Sequence, residues 1–355
     1  MYIEGITLNC IAKIGENRSI FGIYHLITGK KSIQSVHDAR IFQVEKYYGI
    51  YQTLSRQQFI SIINKMTDNE WIVKDMNEGF YHLSSHGKEI LEQYFDTNVY
   101  HYLDGLTYSG KDNTFIERLY LLVQTYSNVL SKNPSFIPII DNDKTTNWVK
   151  TFFRKNRDPK IAKQIFHELH GLLKMLTDIE AEIFVDRLSG YNYYGLSKEQ
   201  IAAKHELSKD DVHIILTAIT HKLMGMIVKK RESFEILSQL TESQYNNKFI
   251  TNTANETYQL LMHNYSISDI AIERNLKMNT IYDHIVEIAL YDTSFDIGSF
   301  VTKREQEEVI QAVKVNQTLK LKTIKEHCDP SITYFQIRLV LTRLNKLLLE
   351  GEYHV

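Results

Sequence analysis

The chain has 355 residues, with 41 Lys or Arg against 43 Asp or Glu, and a formal net charge of −2 at pH 7. This near balance excludes a uniformly polybasic coat for nucleic acid but allows a local binding face. Only 15 Gly and 4 Pro are present, which favours a mainly helical chain over a many-stranded fold. The two cysteines, Cys10 and Cys328, make neither a disulfide framework nor a four-ligand zinc site.

Targeting and membrane signals are not visible in the sequence. The N-terminal stretch, MYIEGITLNCIAKIGENR, has no basic segment followed by the apolar run of a secretory signal. No stretch approaches the ~18 consecutive apolar residues that a membrane-spanning helix needs. We therefore expect a soluble, cytoplasmic protein that does not enter a membrane.

The N-terminal region has the pattern of a winged-helix domain. Ser55 is placed to cap a helix over Arg56–Thr67, whose apolar residues share one face. Two short strands, Trp71–Lys74 and Phe80–Leu83, flank a turn at Asp75–Gly79 and predict a hairpin. Winged-helix domains bind DNA in many cases and dock proteins in others. Two earlier helices are predicted over Ser19–Leu26 and Ile33–Tyr48.

An internal repeat occupies the C-terminal half. Its first copy runs from Ser197 to Ile219 and its second from Ser266 to Ile288, with matched positions 69 residues apart. In each copy a Ser caps the first helix, an Ile-Ala pair faces the core, and a Leu fills the turn before the second helix. This spacing predicts two helix-turn-helix units, each with its second helix as the recognition helix.

The expected fold class is therefore mainly α: an N-terminal winged helix plus two helix-turn-helix units, with one small β-hairpin as the wing. In the last domain Thr302 is expected to cap a helix over Glu305–Val315, and a final helix is expected over Tyr334–Leu349. The Asn- and Thr-rich stretch Asn246–Asn255 is expected to mark a domain boundary. The predicted domains are 1–95 (winged helix), 96–165 (helical connection), 166–245 (first helix-turn-helix) and 246–355 (second helix-turn-helix).

Several stretches resemble known families. Ile270–Ile285 and Tyr334–Val340 resemble the helicase helix-turn-helix domain found with some RecQ-type DNA helicases. Asn17–Ile20 and Tyr24–Lys30 resemble the YpbB-like proteins of Gram-positive bacteria, whose C-terminus is this domain. That resemblance implies association with a RecQ-type helicase. The first copy, within Leu176–Leu223, is similar to the region-four helix-turn-helix of sigma factors.

The candidate nucleic-acid-binding residues lie around the recognition helices, whose first turns reach base edges and phosphates. Lys and Thr suit phosphates, and Asn can read adenine. Four acidic residues near these positions would repel the DNA backbone and therefore oppose this interpretation: Asp210, Asp211, Asp283 and Glu287. The alternative is that one or both units are protein-docking surfaces. The candidates are Arg274, Lys277, Asn279, Thr280 and His284 in the second copy, and Ser208, Lys209 and His213 in the first.

No motif predicts an active site. Thr28–Ser32 resembles a phosphate-binding loop, but Tyr24 stands where the first Gly is required and Lys replaces the final Ser or Thr. Gly29 fits better as the left-handed residue that ends a helix. His167 and His170 are three residues apart, which does not match the zinc-protease motif HExxH. We expect a non-catalytic chain with no metal, no cofactor and no evident small-molecule substrate.

Two functions fit these features. The first is a non-catalytic, DNA-binding accessory subunit of a RecQ-type DNA helicase, acting in DNA repair or recombination. The second is a free-standing helix-turn-helix transcription regulator, although the heptads of a dimerisation helix are not visible. In either case the near-neutral charge of every long segment predicts weak, salt-sensitive binding to DNA.

Overall fold

The computed structural model describes residues 1–75, 80–94, 97–241 and 250–344, and this part of the chain is mainly helical, as expected. Three predicted features lie partly outside the described residues: the turn Asp75–Gly79, the boundary stretch Asn246–Asn255 and the helix Tyr334–Leu349. The described helices of residues 1–130 are α1 (Tyr2–Ile14), α2 (Ile20–Ile27), α3 (Ile33–Ile41), α4 (Arg56–Asp68), α5 (Ser85–Tyr94), α6 (Asn98–Tyr102), α7 (Gly105–Tyr108) and α8 (Lys111–Leu130). Those that follow are α9 (Asp143–Lys155), α10 (Pro159–Leu173), α11 (Asp178–Asp186), α12 (Lys198–Lys204), α13 (Lys209–Lys229), α14 (Glu235–Gln239), α15 (Asn252–Met262), α16 (Ile267–Glu273), α17 (Met278–Tyr291), α18 (Lys303–Asn316), α19 (Leu321–Glu326) and α20 (Tyr334–Leu341).

A two-stranded antiparallel hairpin forms the predicted wing. Strands β1 (Ile72–Lys74) and β2 (Tyr81–Leu83) pair with Ile72 opposite Leu83. The closing helix α5 lies tightly against the start of the hairpin, because a Cβ atom at Gly87 would come within 1.9 Å of the Trp71 carbonyl oxygen. The predicted order of helix, hairpin and helix is therefore confirmed.

The residues predicted to cap helices lie at the N-termini of those helices. Capping boxes, in which side chain and backbone bond reciprocally, are formed by Ser55, Ser197, Ser266 and Thr302. They satisfy backbone N–H groups that the first helical turn leaves without intrahelical partners. Gly29 follows α2 with φ +68°, which agrees with its prediction as a helix-terminating residue.

The chain divides into two compact units. The first comprises Met1–Ala12, Ile23–Gly29 and Glu45–Asn246, and the second comprises Lys13–Gly22, Lys30–Val44 and Asn247–Val355. This division differs from the four consecutive domains predicted above, because two segments of the predicted winged-helix domain belong to the second unit. Residues from the beginning of the chain therefore complete the unit that holds the second helix-turn-helix.

Helix α3 shows why the sequence did not predict that N-terminal segments belong to the second unit. Asp38 accepts two hydrogen bonds from Arg18, at 2.7 and 2.8 Å, and the ring of His37 donates to a backbone carbonyl oxygen of α20 at 3.2 Å. Because the buried face of α3 is polar, no apolar stripe marks its boundaries or its packing partner. The predicted helix Ile33–Tyr48 in fact ends at Ile41.

Helix α13 is the central helix of the first unit and packs against α6, α8, α11 and α12. Twelve of its 21 residues are buried. Among the described residues it is the one helix whose length and hydropathy would allow it to span a membrane, but 67% of its most apolar stretch is buried inside the protein. Core helices of globular units pass the same test.

Helices α16–α20 share an apolar core in the second unit. Ile270, Ile281 and Ile285 come from the second helix-turn-helix, and Ile324 and Ile337 come from the helices that follow it. All five side chains are fully buried. The apolar face predicted for the second recognition helix is therefore the face that holds this unit together.

Candidate nucleic-acid interface

Two helix-turn-helix units occur at the predicted positions, α12–α13 and α16–α17. Each turn contains a residue with left-handed backbone, Glu206 at φ 54° and Asn275 at φ 50°, and these two are again 69 positions apart. The next residue, Leu207 or Leu276, donates its N–H to the carbonyl of the core Ala at 2.9 Å. The two turns therefore share one geometry, and matched positions can be compared directly.

In the first copy, contacts within the unit occupy the start of the recognition helix. Ser208 caps α13 by accepting a hydrogen bond from the Asp211 N–H at 3.0 Å. The Asp211 carboxylate, in a residue only 3% exposed, also accepts from the backbone N–H of Tyr2 at 2.5 Å. Tyr51 donates its hydroxyl hydrogen to Asp210 at 2.5 Å. Both carboxylates therefore bind groups of the protein itself.

The predicted residue His213 lies in the same set of contacts. Its ring stacks on Tyr51 with centroids 3.9 Å apart, and its Nδ1 lies 2.6 Å from the ammonium of Lys198. Burial, followed by the Lys198 charge, lowers the pKa of His213 to about 3, so its Nδ1 accepts from Lys198 while its Nε2 donates to a backbone carbonyl at 3.0 Å. Lys209 forms an exposed ion pair with Glu199 at 2.6 Å and is the one candidate cation of this copy.

In the second copy the first turn of the recognition helix is exposed. Lys277 and Asn279 are exposed and Thr280 is half-buried. Lys277 is the N-cap residue of α17 and makes no side-chain hydrogen bond to the helix, whereas its counterpart Ser208 closes a capping box. A helix N-terminus without a side-chain cap, next to a Lys, favours an anionic ligand such as a DNA phosphate.

Arg274 and His284 were predicted to bind DNA, but the structure gives both of them partners inside the domain. Arg274 donates to the Thr253 carbonyl at 2.6 Å and pairs with Glu256 at 2.6 Å. His284 is 6% exposed and lies 2.8 Å from the Thr257 hydroxyl. Burial, followed by the Arg274 charge, lowers the pKa of His284. These two side chains tie α15 to the helix-turn-helix.

The acidic residues of the second recognition helix have partners as well. Asp283 pairs with Arg338 of α20 at 2.7 Å. Glu287, which is 8% exposed, accepts from the Thr251 N–H at 2.5 Å. The pairing of Asp283 offsets its negative charge, and burial keeps Glu287 from facing DNA. The repulsion expected from these acids is therefore smaller at the exposed first turn.

Helices α18–α20 form a third helix-turn-helix arrangement, which the sequence analysis did not identify. Its core residues Ile332, Ile337 and Leu341 repeat the spacing of the Leu and two Ile residues that follow the second turn. The turn is longer by three residues than that between α16 and α17 and contains Pro330, so it does not match the 69-residue repeat. Helix α20 is mostly covered, and Tyr334 is its one exposed residue.

One group of side chains has the composition of a metal site. Ligand atoms of Glu182, Asp186 and His205 lie within 4.8 Å of one another. No motif in the sequence predicts a metal site at these three residues. The ammonium of Lys204 lies 2.7 Å from Glu182 and 2.9 Å from Asp186. A side-chain cation therefore already balances these carboxylates, and we assign no metal to them.

Comparison with known proteins supports the assignment of the C-terminal domain. The family described as helix-turn-helix domain matches residues 253–341, which include both α16–α17 and α18–α20. The chain is 28% identical to protein YpbB of Bacillus subtilis (strain 168) over 344 residues, which cover 96% of this chain and 97% of that protein. No solved structure matches the chain. The predicted similarity to YpbB, with a helix-turn-helix domain at the C-terminus, agrees with these findings.

Proposed function

We propose that this chain is a non-catalytic, DNA-binding accessory subunit of a RecQ-type DNA helicase, acting in the cytoplasm in DNA repair or recombination. The observation that carries the DNA-binding part is the exposed first turn of α17. Lys277 and Asn279 project from it, inside the stretch that matches the helix-turn-helix family. The corresponding turn of the first copy is bonded within its own unit.

The first turn of α17 offers two kinds of contact. Lys277 and the N-terminus of the helix are suited to phosphate oxygens, which position a protein on DNA without reading its sequence. Asn279 is suited to a base edge, because an amide can bond adenine through two atoms. Only a small number of phosphates can be bound in this way, so we expect weak affinity that falls with salt.

The helicase part of the proposal is supported by the resemblance of Ile270–Ile285 and Tyr334–Val340 to the helicase helix-turn-helix domain. In this proposal the catalytic helicase hydrolyses ATP, and this chain supplies the DNA-binding module that guides the helicase or holds it in place. The purified chain alone is then expected to have no ATPase and no strand-separating activity. ATP hydrolysis that follows the protein through stringent purification would contradict this expectation.

The direct test is a forked-duplex unwinding assay with the RecQ-type helicase of the same organism, with and without the full chain. We expect the parent chain to raise the unwinding rate and the double variant Lys277→Ala with Asn279→Ala to lose most of that effect. Lys322→Ala is the matched control, because Lys322 is 84% exposed in the same unit and lies outside α17. An unchanged rate with the parent chain would contradict the helicase role. A double variant as effective as the parent would contradict the role of α17.

A further inference from the structure

The first unit contains a cavity of about 200 Å³ between α8, α12 and α13. It is not part of the DNA-binding surface proposed above, and no sequence motif marks it. Polar and charged side chains contribute much of its lining, among them Asp112, Asn113, Glu117, Arg187, Lys198 and His213.

Two cationic side chains face this cavity with hydrogen-bonding capacity that the protein leaves unused. Arg187 donates from one terminal nitrogen to the Leu196 carbonyl and also interacts with the Tyr120 hydroxyl. Its buried Nε has no hydrogen-bond partner among the described residues. Lys198 has three N–H hydrogens, and the described part of the chain supplies one acceptor for them, the Nδ1 of His213 at 2.6 Å. A buried donor without a partner destabilises a protein, so a ligand that accepts the unused hydrogens of these two cations would be bound favourably.

The electrostatics of the cavity point to an anion. Burial, followed by the nearby charges of Arg187 and Lys209, lowers the pKa of Lys198 to about 8. Two neighbouring cations that disfavour each other's charge are stabilised by an anion placed between them. Two carboxylates also line the cavity, and both already bind other groups of the protein. Glu117 accepts from Asn142 at 2.9 Å and from Thr145 at 2.8 Å. Asp112 accepts from the Asn113 N–H at 2.8 Å and lies 3.4 Å from the Nε2 of His221.

We propose that this cavity binds a small tetrahedral oxyanion of the phosphate class, held by Arg187 and Lys198. Donors on three separate parts of the chain, Arg187, Lys198 and the exposed Asn113, line the cavity, and a tetrahedral oxyanion can accept from several directions at once. The site does not depend on α17, so it exists whether or not the second helix-turn-helix binds DNA.

The test is a calorimetric titration of the full chain with inorganic phosphate, without DNA and at constant ionic strength. We expect saturable binding with a dissociation constant below about 5 mM. Lys198→Met, which keeps the apolar stem of the side chain, is expected to raise that constant at least about tenfold. Lys229→Met, at an exposed position at the end of α13, is the control and is expected to bind phosphate like the parent.

A second measurement needs no variant. Sulfate does not titrate near neutral pH, so its affinity for the parent chain reports the charge of Lys198. That affinity is expected to fall at least about fivefold between about pH 7 and pH 9.5, as Lys198 loses its proton. The groups that act on the Lys198 charge are Arg187, Lys209, Glu199 and Asp210, and the neighbouring His213 is already neutral. From α8, Asp112 and Glu117 line the same cavity.

Three results would overturn the proposal. The first is no saturation by phosphate below about 20 mM. The second is an equal phosphate affinity of Lys198→Met and Lys229→Met, provided that circular dichroism shows both variants folded. The third is a sulfate affinity that does not change across the pH range. None of these results bears on DNA binding, so failure here and failure of the helicase proposal are distinguishable.

Discussion

The two copies of the helix-turn-helix share a turn but differ in their surroundings. In the first copy the recognition helix α13 is the central helix of its unit, and its first-turn polar groups bond to Tyr2 and Tyr51. In the second copy α17 buries one face, while its first turn carries an exposed Lys277 without a cap. The recognition helix therefore packs in the centre of its unit in the first copy, whereas in the second copy its first turn is accessible to a ligand.

Matched positions show how this difference arises. Asp211, which completes the first capping box, corresponds to Thr280, and Ser208 corresponds to Lys277. The first pair of residues, Ser208 and Asp211, bond to each other and to the chain around them. Their counterparts, Lys277 and Thr280, leave the N-terminus of α17 without a side-chain cap. Replacing a capping pair by a Lys and a Thr thus changes a structural helix start into a candidate phosphate contact.

The largest effect is expected from Asp211→Ala, compared with Thr280→Ala. Asp211→Ala should lower the free energy of unfolding of the first unit by about 2 kcal/mol, because the part-buried N–H groups of Tyr2 and Ser208 lose the carboxylate that accepts from them. Thr280→Ala should change the second unit by no more than about 0.5 kcal/mol. Amide hydrogen exchange, read separately in α13 and α17, measures both values. Equal losses in the two units would contradict the comparison.

Acidification is expected to weaken the first copy through His213. Its pKa is near 3 in the folded protein and near 6.5 when unfolded, so the unfolded state binds more protons between these values. Stability is therefore lost as the pH falls below 6.5, by about 1–2 kcal/mol from this group at pH 5.

Urea unfolding followed across this pH range tests the expectation. The variant His213→Gln should show a shallower dependence than the parent, since Gln does not titrate. The control is Tyr282→Gln, which changes the matched position of the second copy, and its pH dependence should be that of the parent. A parent-like slope in His213→Gln would show that other groups dominate. His37, whose pKa is also lowered to about 3 by burial, would be the next group to examine, in the second unit.

A smaller effect is expected from Lys277→Ala on DNA affinity. Loss of one phosphate contact should weaken binding about fivefold, equally for all DNA sequences, and reduce the salt slope by about one. Lys209→Ala in the first copy should change affinity by less than about twofold, because Lys209 is already paired with Glu199. Fluorescence anisotropy over a range of salt concentrations measures both. A larger loss in Lys209→Ala than in Lys277→Ala would reverse the roles of the copies.

Averaged over DNA sequences, the smallest effect is expected from Asn279→Ala, and it sharpens the comparison. If Asn279 reads a base, its loss should weaken binding about three- to tenfold on the preferred DNA sequence and very little on others. A competition assay with a randomised duplex pool would show this as relaxed selection at one position. A uniform loss on every sequence would instead indicate a contact with the phosphate backbone.

Much of the local structure could be predicted from the sequence. Capping residues, the helix-turn-helix repeat and the hairpin depend on short-range patterns, and the structure contains all three. Lys277 and Asn279 were also placed at an exposed helix start. These features are local because the hydrogen bonds and the apolar spacing that define them fall within a few residues.

The remaining features depend on contacts between residues far apart in the sequence. Nothing near Asp210 or Asp211 indicates that Tyr51 and Tyr2 would bond to them. The polar face of α3 likewise gave no periodic signal for its place in the second unit. The partners of Arg274 and His284 are also distant in the sequence and were not predicted. These partners are Thr253 and Thr257, and their spacing of four positions in α15 was a weak signal that they share one helix face.

The unit division also explains why point substitutions are preferable to truncation. Removing residues from about 250 onward would delete the core against which Ile33 and Ile41 of α3 pack. The N-terminal residues would then lose their partners, and a loss of function could not be assigned to α17. Substitutions at exposed positions of α17 avoid this problem.

The most direct test of the account is a hydrogen–deuterium exchange footprint of duplex DNA on the full chain at low salt. We predict that DNA slows exchange of the backbone amides at 277–282, at the start of α17, and leaves those at 208–213, at the start of α13, unchanged. Protection at 208–213 without protection at 277–282 would contradict the central claim that the second copy, and not the first, contacts DNA.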